Sequence, residues 1–353
     1  MLTGVQDEAI SDRLVMAVDG NSLVHRSFHA QASTGTRTAD GRPIWAVRGL
    51  LSQLVAAVER LDPDVVVVGF DDPDHSWRKQ EWPGYKGTRS EKLETLVCQL
   101  LTAADVLRAL GITVVVPPGL EADDVLASTA ACAAAEGART VVVSSDRDAF
   151  ALIDDQTSVL RILNGGVEAS PLLTPDRLHL LLGIRAGQYG DFAALRGDAS
   201  DNLAGVQGIG PKTAAKLLGA LGSARAAFDD LDAGGTAVVE AIGKGATARL
   251  AAPGAREAWE RNRAVMRMRT DVEVPLTAGL PLAEAVVRDV YTDHQLTSTL
   301  PSALRCLSRI EVPGPTVTRA WSDAPRDPGH TWGRPARPAP LPRRKHEDQL
   351  TLF

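Results

Sequence analysis

The stretch 14-LVMAVDG-20 is a short apolar run closed by an acid, and the same figure returns along the chain at 65-VVVVGFD-71, at 112-ITVVV-116 with Glu121, Asp123 and Asp124 soon after, and at 140-TVVVSSDRD-148. Short runs without polar alternation predict strands buried on both faces. Between them lie segments of helical spacing, 46–60, 92–110 and 123–136, the last rich in alanine and stopped by Gly137. Strands alternating with helices predict an α/β fold, a mainly parallel sheet flanked by helices.

In an open parallel sheet the residues just past the strands share one crevice. Here those positions are Asp19, Asp71, Glu121, Asp123, Asp124, Asp146 and Asp148, with Asp198 and Asp201 following in 196-RGDASDN-202. Any one aspartate there has a plainer reading as a helix N-cap, and Asp124 is open to it. Together, so many carboxylates repel one another unless cations neutralise them. Hard oxygen donors without nearby His or Cys predict Mg²⁺ or Mn²⁺ over Zn²⁺, and a metal pair suits phosphodiester hydrolysis.

From about Leu173 the pattern changes to short helices broken by glycine and proline, with no convincing strand until Val312. Within it, 205-GVQGIGPKTAAKLL-218 sets Gly208 and Gly210 before Pro211, Lys212, Thr213 and Lys216. Glycines allow a tight turn and proline suits a first helical turn, so this hairpin predicts free amides facing a phosphate, reinforced by both lysines. Pro211 breaks the Gly-Lys-Thr of a Walker A loop, and no strand precedes Gly205 as a dinucleotide fingerprint requires. An ordinary helix–turn–helix joint is the bland alternative.

The chain has 353 residues, 44% apolar composition and a formal charge of −6. That length predicts two domains plus tails. The negative sum does not exclude nucleic acid, because basic residues cluster in 78-RKQEWPGYKGTR-89, in 256-REAWERNRAVMRMR-269 and in the last thirty or so residues. Cys98, Cys132 and Cys306 lack CxxC spacing, so neither a disulfide framework nor zinc is expected. Without a leader peptide or an apolar run of membrane-spanning length, the protein is expected to be soluble and cytoplasmic, associated with the nucleoid, and monomeric.

Taken in order, 18-VDGNSLVHRSFHA-30, 69-GFDDPDHSWR-78, 84-GYKGTR-89, 119-GLEADDVLAS-128, 144-SSDRDAFALI-153 and 195-LRGDASDNLAGVQGIGPKTAAKLL-218 resemble the 5′ nuclease superfamily, over roughly residues 13–312. The resemblance implies a PIN-like nuclease core at 13–172 with an arch segment at 72–92, then a helix-hairpin-helix (H3TH) DNA-binding subdomain at 173–312. It implies one metal held by Asp19, Asp71, Glu121 and Asp123 and a second by Asp146, Asp148 and Asp201, with Asp198 a bacterial-type addition. Lys86 and Arg89 match arch residues that contact the scissile phosphate, and Arg78 stands near the arch entrance as a DNA contact. Without the resemblance, Lys86 and Arg89 read as a solvated loop. His25 departs from the tyrosine common in bacterial relatives, a residue that can stack on a base in the family. The resemblance further implies K⁺ at the hairpin, DNA with 5′ ends or flaps as substrate, RNA primers among the targets, and products with a 5′-phosphate and a 3′-hydroxyl. Rival readings are a non-catalytic structure-selective DNA binder and a metal-dependent RNase.

Residues 1–12 are expected to be a flexible leader and 313–353 a disordered Pro/Arg-rich tail. No polymerase is expected after the helical part. The tail ends in 349-QLTLF-353, where Gln349, Leu350, Leu352 and Phe353 resemble a peptide that docks on the DNA sliding clamp.

Overall fold

The computed structural model describes residues 13–311. The leader, the Pro/Arg tail, the clamp-like end and the strand expected near Val312 lie outside them. The strands are β1 (Leu14–Asp19), β2 (Val65–Gly69), β3 (Thr113–Val115), β4 (Arg139–Ser144), β5 (Thr157–Arg161), β6 (Leu172–Leu173), β7 (Gly197–Asp198) and β8 (Leu203–Ala204). The first helices are α1 (Gly20–Gln31), α2 (Trp45–Leu61), α3 (Trp77–Glu81), α4 (Glu94–Ala109) and α5 (Ala122–Ala135). After β6 come α6 (Pro175–Leu182), α7 (Tyr189–Arg196), α8 (Pro211–Leu221), α9 (Ala224–Asp232), α10 (Thr236–Leu250) and α11 (Ala255–Val265), and last α12 (Glu284–Asp293) and α13 (Leu300–Leu307).

The main sheet has the order β3-β2-β1-β4-β5-β6, parallel except for β6. The four expected strands are its first four in spatial order, with β3 at one edge. Val15–Val18, Val65–Val68 and Val142–Val143 are buried on both faces, so the sequence shows no alternation there. Chain order reverses between β1 and β4, which makes the end of β1 the topological switch point. Sequence reading missed β5 and β6, because 157-TSVLR-161 alternates weakly and Leu172–Leu173 is a two-residue edge.

Two expected boundaries change. Residue 172/173 falls inside β6, and helices α6–α11 share one core with the sheet: Ala17, Val142, Phe150 and Val159 pack in the same cluster as Tyr189, Phe192 and Leu217. The helical part also ends earlier than 312. Val274 and Leu276 pack on the second sheet face with Val15 and Val67, and Gly279 bridges Val65. Val287, Val290, Tyr291, Leu304 and Leu307 then bury the apolar faces of α12 and α13 beside α2 and α4 on the first face. Burial of these side chains, each about 1.5–3 kcal/mol, holds the last helices to the nuclease core instead.

Candidate functional site

Asp19 ends β1 and caps α1: its Oδ1 accepts from the Ser22 amide at 2.8 Å and its Oδ2 from the Ser144 hydroxyl at 2.7 Å. It is 4% exposed, and burial first, with the Asp146 and Asp71 charges adding, pushes its pKa up to about 7. Asp71, past β2, accepts from Asn21 Nδ2 at 2.6 Å and from the Ala122 amide at 3.0 Å. Glu121 is the N-cap of α5 and forms a capping box with Asp124. Asp123 faces the crevice, where burial and then Asp19, Asp146 and Asp148 raise its pKa well above the ordinary value. Asp148 rises to about 7, through burial and then its neighbours Asp146, Asp198 and Asp201. Asp146 is exposed and accepts from the Asp148 amide at 3.1 Å.

The arch segment is not a long helix. It is the short α3 followed by turns at 83–89 that fold back onto the acids. The Lys86 ammonium donates to Glu121 Oε1 at 3.0 Å, the Tyr85 hydroxyl to Glu121 Oε2 at 3.0 Å, and the Arg89 guanidinium pairs with Asp201. Burial opposes the charge of Lys86, but Glu121 and Asp201 outweigh it and its pKa rises. A left-handed backbone at Lys86, φ +54°, and a bond from its amide to the Asp201 carbonyl at 2.9 Å aim it inward. The solvated-loop alternative therefore does not hold for Lys86, which is half-buried in the crevice.

Arg78 requires correction. Expected as a DNA contact at the arch entrance, it is 3% exposed. Its Nη1 and Nη2 hold both oxygens of Asp124 at 2.8 and 2.7 Å, Nη1 reaches Glu121 at 3.1 Å, and Nε donates to the Val265 carbonyl at 3.0 Å. A guanidinium enclosed by these acceptors has no surface for a phosphate; it fixes Glu121. Asp124 completes that clamp and is a structural acid, as its N-cap alternative allowed.

Asp198 Oδ1 accepts from the Ser200 amide at 2.8 Å and stabilises the β7–β8 turn that carries Asp201. Asp201 also has a raised pKa, burial first, against the Lys86 and Arg89 charges. One pocket is lined by Tyr85, Glu121, Asp123, Asp148 and Asp201. The donors are oxygens, and the raised proton affinities of Asp19, Asp123, Asp148 and Asp201 mark an excess of negative charge, so in kind they fit a hard divalent cation. In position, among the described residues no three acids stand close enough to hold one ion between them. Asn21, Ser144, Tyr85, Lys86 and Arg89 occupy several of the carboxylate oxygens.

The hairpin lies beyond β8. Val206 and Ile209 are buried and anchor it, while Gly208, Gly210, Lys212 and Lys216 are exposed and Thr213 is half-buried. Gly208 takes φ +75°, and a Cβ there would stand 2.4 Å from Arg249 Cδ. Gly210 caps α8 without a side-chain acceptor, which leaves first-turn amides available. His25 is half-buried, and burial, then Lys92, His29 and Arg89, lowers its pKa to about 4, so it is a neutral ring at physiological pH. Sequence reading passed over Tyr85, Asn21 and Ser144; Tyr85 adjoins Lys86, Asn21 and Ser144 stand two residues from Asp19 and Asp146, and only the folded register shows the bonds.

The family description "5′-3′ exonuclease, N-terminal resolvase-like domain" matches residues 14–178, and "5′-3′ exonuclease, C-terminal SAM fold" matches residues 184–285. DNA polymerase I of Mycobacterium bovis is 41% identical over 219 residues, 62% of this chain and 24% of the relative. Thermostable DNA polymerase I of Thermus aquaticus is 40% identical over 218 residues, 62% of this chain and 25% of the relative. The chain thus aligns with about a quarter of these curated relatives. Among solved structures, the T5 5′-exonuclease bound to zinc superposes with TM-score 0.58 at 19% identity, covering 84% of this chain and 100% of the other. The catalytic core of Rad2 in complex with DNA substrate gives 0.55 at 15%, covering 86% and 94%. At these identities the likeness is one of fold.

Proposed function

The chain belongs to the 5′–3′ exonuclease family, and from that premise we propose that it is a divalent-metal-dependent 5′–3′ exonuclease and 5′ flap endonuclease that hydrolyses phosphodiester bonds of DNA. The observation that carries this reading is the crevice at the switch point, where buried acids with raised pKa values face two cations, Lys86 and Arg89. Asp19, Asp71, Glu121 and Asp123 would hold one ion and Asp146, Asp148 and Asp201 the other, with Asp198 bracing the last. Two such ions supply charge neutralisation and a more acidic water.

The chain's own groups do the rest. Tyr85 and Arg78 orient Glu121. Lys86 and Arg89, offered to a phosphate instead of to carboxylates, stabilise negative charge on the scissile group. Gly208, Gly210, Lys212, Thr213 and Lys216 hold the duplex backbone without reading sequence, with a monovalent cation such as K⁺ as an aid. Mg²⁺ or Mn²⁺ suits the oxygen donors. RNA primers are substrates on the same reading, and Gln349, Leu350, Leu352 and Phe353 dock on the sliding clamp; titrating the tail peptide against clamp tests that part, and absence of saturable binding removes it.

The central test incubates the full chain with 5′-labelled flap, nicked and single-stranded substrates in Mg²⁺, Mn²⁺ or EDTA. Metal-dependent release of short 5′ products is the expected result. Binding without cleavage in either metal would instead favour a structure-selective binder.

A further inference from the structure

At the carboxyl edge of the sheet one register row runs Val115, Gly69 and Asp19, and continues over β4 and β5 as Ser144 and Arg161. The Ser144 hydroxyl bonded to Asp19 joins the two halves. Two strand spacings separate Asp19 from Arg161, ~10 Å. Asp19, Asp71 and Asp123 lie toward the β1–β2 side of this edge, Asp146 and Asp148 follow β4, and the arch brings its cations to Glu121 and Asp201. The β5 side is different: it carries arginines that the mechanism does not use.

Arg161 is half-buried at the end of β5, with its guanidinium over the Phe150 ring at 5.6 Å. Its Nε–H is buried without a hydrogen-bond partner. Burial, and then the charge of Arg147, lower its pKa from the ordinary arginine value. Arg147 lies exposed between Asp146 and Asp148. Two neighbouring guanidiniums, one stacked on an aromatic face with an unanswered donor, are a poor arrangement for stability alone. Their solvent-facing ends suit an anion that arrives from outside, since a phosphate bridging the exposed Arg147 and the half-buried Arg161 offsets their mutual repulsion. Arg26 donates to Asn164 Oδ1 at 2.9 Å and ties the loop after β5 to α1, which keeps this edge in place.

We infer that Arg161 and Arg147 form a second phosphate subsite at the β5 edge of the crevice, which holds a DNA phosphate flanking the cleaved bond. The inference rests on the nuclease reading above. The phosphate is either internal to the strand or the 5′-terminal monoester, and both present the same oxygens to the guanidinium fork.

The test is binding of a labelled 5′-flap substrate by the full chain in EDTA, followed by anisotropy across a salt series. Arg161→Gln and Arg147→Gln are expected to weaken binding at least about fivefold and to reduce the slope of log K against log salt by ~0.7–0.9. Arg161→Lys is expected to keep the slope while binding less tightly, because it retains the charge and loses the fork. Arg288→Gln, on α12 and paired with Glu284, serves as the control and should match wild type. Mg²⁺ affinity measured by calorimetry should be unchanged in Arg161→Gln, which separates a phosphate contact from a general electrostatic effect on the acids. Arg147 is exposed, so its variant carries the test if Arg161→Gln does not fold. A deficit that vanishes on a 5′-hydroxyl substrate assigns the terminal phosphate, and one that persists assigns an internal phosphate; either supports the subsite. Wild-type affinity and slope in both Gln variants, with steep salt dependence in wild type, would overturn the subsite and leave the nuclease reading intact. No salt-dependent binding by wild type overturns both.

Discussion

Arg78 carries its charge into a place where only its partners make that tolerable. The Asp124 carboxylate answers it with two bonds and Glu121 with a third, so the guanidinium is held by acids on α5 and by the chain at Val265 and Arg267. Removing one partner of such a buried pair strands the other, at about 3–5 kcal/mol. Arg78→Met is therefore expected to lower stability by that order in urea titration, and Arg78→Lys by somewhat less; a loss below ~1 kcal/mol would refute the clamp. Lys86 predicts the opposite pattern. Lys86→Ala should leave the fold nearly as stable while lowering kcat on a flap substrate by about 100-fold or more, as loss of one stabiliser of developing charge does. Its check is single-turnover kinetics beside a thermal melt. Asp19, Asp71, Glu121, Asp123, Asp146 and Asp148 were legible from their order after each strand, whereas Lys86 and Arg89 were singled out by the family resemblance alone. Arg78's burial was not, because nothing in 76-SWRK-79 reveals that Asp124 and the 265–267 backbone converge on it.

Elements differ in how openly the sequence announces them. Valine runs flanked by helical spacing made β1 to β4 readable, and Gly137 marked the end of α5 through its φ of +72°. β5 stayed hidden because 157-TSVLR-161 mixes polar and apolar residues, and β6 because it is a two-residue edge. The hairpin before α8 was visible as glycine punctuation, and its geometry now gives it a specific vulnerability. At Gly208 a side chain meets both a left-handed backbone, about 1–2 kcal/mol for an L residue, and the Arg249 side chain. Gly208→Ala should therefore weaken duplex binding measured by anisotropy while the far-ultraviolet spectrum stays unchanged. Lys212→Ala, exposed on α8, should preserve stability and flatten the salt dependence by ~0.9. Equal slopes for wild type and Lys212→Ala would remove the hairpin from the interface.

For the whole molecule the crowded acids set a pH response. Asp19 rises from 3.8 to about 7 in the fold, so between these values the folded state binds a proton that the unfolded chain releases. Stability of the metal-free protein is accordingly expected to fall as pH rises from about 4 to 7, with Asp148 acting in the same direction. Added Mg²⁺ should raise Tm by several degrees at pH 8 and by much less at pH 5.5. A Mg²⁺ increment independent of pH would dissociate the acids from the ion. The overall plan was readable as sheet and helical part, but the return of α12 and α13 to the first sheet face was not, since amphipathic spacing names a buried face without naming its partner. That return has a mechanical consequence. Because the chain leaves the sheet at β6 and rejoins it at Val272–Gly279, the helices between are mounted at two points and share a core with β4 and β5. A part clamped at both ends keeps its distance, so the hairpin and the crevice together form a ruler, and the position of the cut relative to the duplex should be narrow and independent of flap length.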